Sequence, residues 1–261
     1  MGEVTLAKGL LLAIIAFIVG IDFWLEALFI FRPIIVSTLT GLVLGDLKLG
    51  LVTGGLTELA FAGLTPAGGT QPPNPVLAGV MTTVIAYTTG TSATEAIGLA
   101  LPFSFLMQYI LLLYYSLFSF FNRKLNIAAE NADTKAFRKY NIIPMVIVAF
   151  TYALIVFLST YVAQDAMRKL VNVLPEWLTH GLSVAGGILP AVGFGMLLNV
   201  MFNIKYLPYL IIGFIMASFI EFSNLLPVAL IGTALALMDY FRSKETKQVE
   251  TSGEDDFSNG I

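Results

Sequence analysis

The chain has 261 residues, 57% of them hydrophobic and only 12% charged, with a net charge of −3. Soluble domains carry about 25% charged residues, so this composition belongs to an all-α polytopic membrane protein, and the lack of a basic excess argues against nucleic acid as a partner. With no cysteine and one histidine, the chain has no disulfide framework, thiolate metal site or cysteine nucleophile, and a phosphohistidine or phosphocysteine relay within it is disfavoured.

A helix of about 20 residues crosses the hydrocarbon core. The apolar opening, Leu6 to Ile21, is slightly short for that and lacks a small-residue cleavage motif, so it reads as a retained segment. Asp22, Trp24 and Glu26 suit an interface, and the spacing predicts a tilted or surface-lying helix that turns inward at Arg32-Pro33. Asp22, Glu26 and Arg32 read as an interfacial charge cluster. Ile34 to Leu44 runs to a water boundary at Asp46 and Lys48.

Gly41 to Asn74 then departs from an ordinary span. Glycines fall at 41, 45, 50, 54, 55, 63, 68 and 69 and prolines at 66, 72 and 73, and one carboxylate, Glu58, sits in the most apolar part. A charge at bilayer depth costs roughly 2.5–3.5 kcal/mol on insertion scales, and non-helical backbone survives there only when buried in protein or lining a wet cavity. Leu49 to Leu64 therefore reads as a re-entrant hairpin arm and Thr65 to Pro75 as its turn.

Val76 to Gly90 is apolar with threonines, Thr91 to Glu95 is a polar break, and Ala96 to Phe121 is a long span containing Pro102 and Gln108. Residues 122–141 form the one long polar stretch, read as a loop, with five basic residues against two acidic ones. By the positive-inside rule this loop is cytoplasmic. Ile142 to Ala163 is the cleanest span, and Gln164 to Glu176 is interfacial. Gly181 to Ile204 is a second broken segment, with five glycines, Pro190 inside and no charge. Tyr206 to Ile220 and Leu225 to Tyr240 complete a membrane domain over 1–241, leaving 242–261 as a flexible polar cytoplasmic tail. Interrupted segments in corresponding halves point to a transporter site at a repeat interface.

Glu58 is the strongest candidate site residue, because a carboxylate accepts paired hydrogen bonds from adjacent sugar hydroxyls; the alternative is an acid that satisfies backbone N–H groups at a helix break. Gln71 and Asn74 supply donors and acceptors in a proline-stiffened loop, with turn chemistry as the rival role. Thr65 and Thr70 are weaker versions of the same case. Asn199 either reaches solute from the other side or bonds a neighbouring helix. His180 reads as an interface residue. No phosphate loop of the GxxxxGK type followed by Ser or Thr occurs, and no metal-ligand spacing occurs, so neither a cofactor nor a metal is expected.

The window Gly41, Gly45, Asp46, Gly50, Leu51, Val52, Gly54, Gly55, Leu56, Thr57 and Glu58 resembles the signature of enzyme IIC subunits of the mannose family (mannose, fructose, sorbose) of the phosphotransferase system. FRPIIVSTLTG (31–41), LTPAGGTQPPNP (64–75), LPEWLTHGLSVAGGILPAVGFG (174–195) and DFSNGI (256–261) also look like family segments. The resemblance spans essentially the whole chain and is nearest to the N-acetylgalactosamine/galactosamine members. It implies a multi-pass subunit of the bacterial cytoplasmic (inner) membrane that imports sugar, paired with a IID membrane subunit in a trimer of IIC–IID pairs. It further implies separate IIA and IIB phosphocarriers that supply phosphate from phosphoenolpyruvate. The implied fold has broken helices, re-entrant hairpins and an elevator-type core sliding against a scaffold. Glu58, Gln71, Asn74, Thr70 and Asn199 are then the expected substrate-binding residues, and the glycines at 54, 55, 68 and 69 are expected to let backbone approach the sugar. Mannose- or sorbose-specific IIC, a stand-alone cation-coupled transporter, and a non-transporting scaffold or peptide receptor are the alternatives.

Overall fold

The computed structural model describes residues 2–64, 71–220 and 226–254, and all regular structure among them is helical. The chain divides into two units, residues 1–199 and 200–261.

In the first unit, α1 (Leu6–Leu25) starts at Thr5, whose hydroxyl caps the Lys8 N–H. At 20 residues it is long and apolar enough to cross a membrane, so the opening is longer than the expected run from Leu6 to Ile21. The helix simply continues four residues past Ile21, and Asp22 within it is only 4% exposed. It packs on α7 (Thr134–Phe157), where a Cβ on Gly20 would lie 2.8 Å from Ala149 Cα. Small residues at such crossings let apolar helices approach closely. The chain's start is also held: Gly2 N–H donates to the Tyr87 carbonyl, and Val4 exchanges two hydrogen bonds with the Gln164 amide.

Three short helices follow. They are α2 (Pro33–Leu44), α3 (Leu47–Phe61) and α4 (Pro75–Thr89), of 12, 15 and 15 residues. At 1.5 Å per residue, each is shorter than the hydrocarbon thickness of about 30 Å. Their ends follow from the sequence. Pro33 and Pro75 occupy first-turn positions whose N–H would be unpaired anyway. Gly45 closes α2 at φ 88, a left-handed conformation that glycine adopts without steric penalty. Asp46 caps α3 through the Leu49 N–H at 2.9 Å. The α2–α3 crossing is backbone on backbone: a Cβ on Gly41 would lie 2.7 Å from Gly50 Cα. Helix α4 is wrapped by α2, α3 and α5 (Ala93–Leu117), and 13 of its 15 residues are buried. Thr83, Thr88 and Thr89 bond their hydroxyls to carbonyls one turn back, and Thr83 also meets the Thr53 hydroxyl at 2.8 Å, whereas the buried Thr82 hydroxyl has no partner among the described residues.

Residues 122–141, expected to be a loop, are mostly helical: α6 (Ser119–Glu130) turns into α7, whose start Asp133 caps through the Lys135 and Ala136 N–H groups. An amphipathic polar helix needs no apolar run to form, so charge density alone did not mark a loop here. After a π-helical turn at Leu158–Val162 comes α8 (Gln164–Val173), then α9 (Glu176–Met201). Helix α9 corrects the second "broken" segment: it runs unbroken for 26 residues with Pro190 inside. It crosses α5 and the end of α3 at its glycines; a Cβ on Gly186 would collide with the Thr94 carbonyl, and one on Gly193 would lie 2.5 Å from the Leu59 carbonyl oxygen.

In the second unit, a short 3₁₀ turn (Ile204–Tyr206) leads into α10 (Leu207–Phe219), which packs on α11 (Leu226–Glu254). The tail expected to be flexible after Arg242 continues as helix to Glu254, because no glycine or proline interrupts residues 242–252.

Candidate functional site

The short helices bound a cavity of about 680 Å³ in the first unit. Its wall combines rings from the end of α1 and the loop after it (Phe23, Trp24, Phe29, Phe31) with Arg32, and Gln71 faces it from the segment before α4. The rim loop is an unusual piece of backbone. Glu26 (φ 47) and Phe29 (φ 57) are both left-handed without being glycine, which costs of order 1–3 kcal/mol per residue. Asp22 offsets this strain: its two carboxylate oxygens accept the Leu28 and Ile30 N–H groups, each at 2.7 Å. Such charge-assisted bonds are about twice as strong as neutral ones. Asp22 is therefore a brace for the cavity's aromatic edge and does not pair with Arg32, as an interfacial cluster would require.

Glu58, on α3, points at the start of α2. Its Oε1 accepts from Arg32 Nε at 2.7 Å and from Arg32 Nη2, and its Oε2 accepts the Ile34 N–H at 3.2 Å. One acid thus neutralises the guanidinium and satisfies an orphan N–H at the positive end of a helix. The geometry shows the second of the two roles considered for Glu58, satisfying backbone N–H at a helix start; Glu58 itself does not line the cavity, although its ion-pair partner does. The pair keeps partial access to solvent, with side chains 35% and 22% exposed for Arg32 and Glu58.

Asn74 takes a different position from a solvent-facing ligand. It is fully buried, caps α4 by accepting the Leu77 N–H at 3.0 Å, and donates its amide to the Tyr152 hydroxyl of α7. Its backbone is clamped as well, since its N–H donates to the Ser104 carbonyl and its carbonyl accepts from the Ser104 hydroxyl. Gln71 borders the cavity while its carbonyl accepts from the Gln108 side-chain amide. Thr70, Thr65 and the glycines at 68 and 69 lie outside the described residues. Asn199, near the end of α9, and His180 are exposed and do not line the cavity. Of the signature glycines, Gly54 packs on α2, where a Cβ would lie 3.0 Å from the Ile34 carbonyl oxygen, and a Cβ on Gly55 would meet nothing within 4 Å. Gly54 serves helix packing here.

Sequence reasoning missed three participants: Arg32 as the partner of Glu58, Tyr152 as the partner of Asn74, and Asp22 as the brace. The one local signal was the buried-acid chemistry itself, since a lone carboxylate in an apolar run demands a counter-charge or N–H donors.

A sequence profile described as the PTS system sorbose-specific IIC component matches residues 6–238. The chain belongs to this IIC family of the phosphotransferase system. Among curated members of the IIC family, the N-acetylgalactosamine permease IIC component 1 of Escherichia coli is 60% identical over 100% of both chains. The fructose permease IIC component of Bacillus subtilis is 33% identical over 88% of this chain and 85% of its own. A solved structure described as that of a membrane protein superposes with a TM-score of 0.81 at 30% identity, covering 92% of this chain and 97% of the other. A chain from the cryo-EM structure of the mannose transporter ManYZ with a microcin gives a TM-score of 0.58 at 29% identity, covering 92% and 96%. As a IIC protein the chain is a sugar-specific membrane permease component, and the apolar helices of its fold fit that setting.

Proposed function

We propose that this IIC chain imports N-acetylgalactosamine or galactosamine across the bacterial inner membrane. The observation that carries the sugar assignment is its full-length 60% identity to an N-acetylgalactosamine permease component. The cavity beside α2 and α3 is the site we assign to the sugar. Its volume, about 680 Å³, lies in the range of small-molecule pockets, which combine apolar or aromatic walls with a few placed polar groups. The rings at its rim suit the C–H face of a pyranose, and Gln71 suits its hydroxyls. Glu58 acts at the wall through Arg32. Asn74, clamped at the start of α4, holds the segment that carries Gln71.

In this reading the short helices α2, α3 and α4 are re-entrant and form a core that moves against α1 and α7 in elevator fashion. A IID subunit completes the membrane complex, with IIC–IID pairs forming a trimer. Phosphate arrives on separate IIA and IIB proteins at the face bearing the basic α6–α7 hairpin. The chain itself transfers no phosphoryl group.

The test is sugar binding by the purified complex with its IID partner, ranking N-acetylgalactosamine, galactosamine and mannose in competition. Gln71→Ala, and Leu64→Trp at a second residue that lines the cavity, are expected to weaken binding of the preferred sugar by tenfold or more. Unchanged affinity in both variants would place the sugar elsewhere, and a clear preference for mannose would overturn the amino-sugar assignment.

A further inference from the structure

The charged residues that line the cavity are Arg32 and Glu26, not the acid that the family signature carries. Glu58 is almost saturated: of the roughly four lone-pair sites on a carboxylate, two accept from Arg32 and one from Ile34. Arg32 is not. Its Nε and one Nη2 N–H are taken by Glu58, and among the described residues Nη1 donates to nothing, although the side chain is 35% exposed and lines the cavity. A guanidinium is a planar fork, so fixing one edge against Glu58 aims the other edge. The backbone adds to this fixation, because Arg32 is the residue that caps α2 immediately before Pro33, with φ near −65 and ψ 138.

We infer that Arg32 is a specificity-determining donor to sugar oxygens, and that Glu58 is a positioning residue that aims it. This rests on the assignment of the cavity to the sugar. Nη1 donates two N–H bonds toward acceptors on one edge of the ring, so loss of the oxygen on that edge removes a charge-assisted hydrogen bond. Such a bond to a charged group corresponds to about 10- to 100-fold in affinity.

The experiment measures dissociation constants of N-acetylgalactosamine and its monodeoxy analogues on the purified full-length complex. Wild type is expected to discriminate at least tenfold against one analogue. In Arg32→Gln that ratio is expected to fall below about threefold, while the ratios for the other analogues stay as they were. A purely structural loss would weaken every analogue alike and leave all ratios intact, and that outcome overturns the assignment. Adding Glu58→Gln to Arg32→Gln is expected to change affinity by less than about twofold, because contacts acting through one group are non-additive. A further tenfold loss in the double variant would show that Glu58 touches sugar itself and overturn its positioning role. The double variant holds no unpaired charge, so it also reports the ratio if Arg32→Gln alone fails to assemble. Gln71→Ala and Leu64→Trp separate the two levels: if they lose binding while Arg32→Gln keeps every ratio, the cavity stands and the Arg32 assignment falls. If neither loses binding, the cavity assignment itself falls.

Discussion

The segments 41–64 and 181–204 look alike as sequence, both apolar and crowded with glycine, yet one is broken and the other is not. The difference lies in what meets the freed backbone. Each start in the first segment and its continuation has a polar side chain on it: Asp46 caps α3, Glu58 reaches across to the first turn of α2, and Asn74 caps α4. Residues 181–198 hold one serine as their only comparable group, and α9 runs straight through Pro190. In an apolar surrounding an unpaired N–H or carbonyl costs several kcal/mol. A helix can therefore restart at depth only where a side chain takes over its first N–H groups, and glycine content alone supplies none. In the first segment Gly45 ends α2 through its own backbone N–H, while Gly41 and Gly50 act by proximity, bringing α2 and α3 close enough for Glu58 to reach the neighbouring helix.

The comparison breaks most sharply at Gly50. A Cβ there would lie 2.6 Å from the Ser37 carbonyl oxygen and 2.9 Å from Gly41 Cα, with backbone on both sides and no flexible side chain to yield. Gly50→Ala is expected to destabilise by about 3 kcal/mol, the upper part of the range for overpacking. Loss of monodisperse complex in detergent checks it. Gly55→Ala, in open space on the same helix, is the control and is expected to be neutral. Next comes Asn74→Ala, which removes a helix cap and strands the buried Tyr152 hydroxyl. About 2 kcal/mol is expected. In a thermal-unfolding cycle with Tyr152→Phe the two losses should be less than additive; full additivity would mean the Asn74–Tyr152 bond contributes nothing.

Local chemistry made much of this legible. Pro33, Gly45, Asp46, Asn74 and Pro75 are punctuation that acts on its own neighbours, and the helix ends fall on them. The family signature around Glu58 lies one ion pair away from the cavity, whose wall includes Arg32 and none of residues 41–58. What stayed hidden was pairing across the fold. Arg32 and Glu58 are 26 residues apart and Asn74 and Tyr152 are 78 apart, and no periodicity encodes such contacts. The same blindness turned Asp22 into a surface charge, because its partners are backbone N–H groups six and eight residues on. The α6–α7 hairpin was missed for the opposite reason: its Asp133 cap is local, but the surrounding charge was read as loop.

The smallest expected effect tests the unbroken side of the comparison. Proline inside a helix lacks the N–H that would reach the carbonyl four residues back, here Gly186, and its ring presses on that carbonyl. If α9 is one continuous helix, Pro190→Ala restores that bond and relieves the contact, so the unfolding midpoint of the complex should hold or rise by a few degrees, with sugar affinity unchanged. Were Pro190 instead a true break, the alanine variant would force a bent segment straight and pull Gly193 away from the end of α3, where a Cβ would already sit 2.5 Å from the Leu59 carbonyl oxygen. Stability would then fall by more than about 1 kcal/mol, which for a chain of this size is a drop of about 2–4 °C. A fall of that kind would remove the contrast between the two glycine-rich segments and, with it, the claim that polar side chains decide where these helices restart.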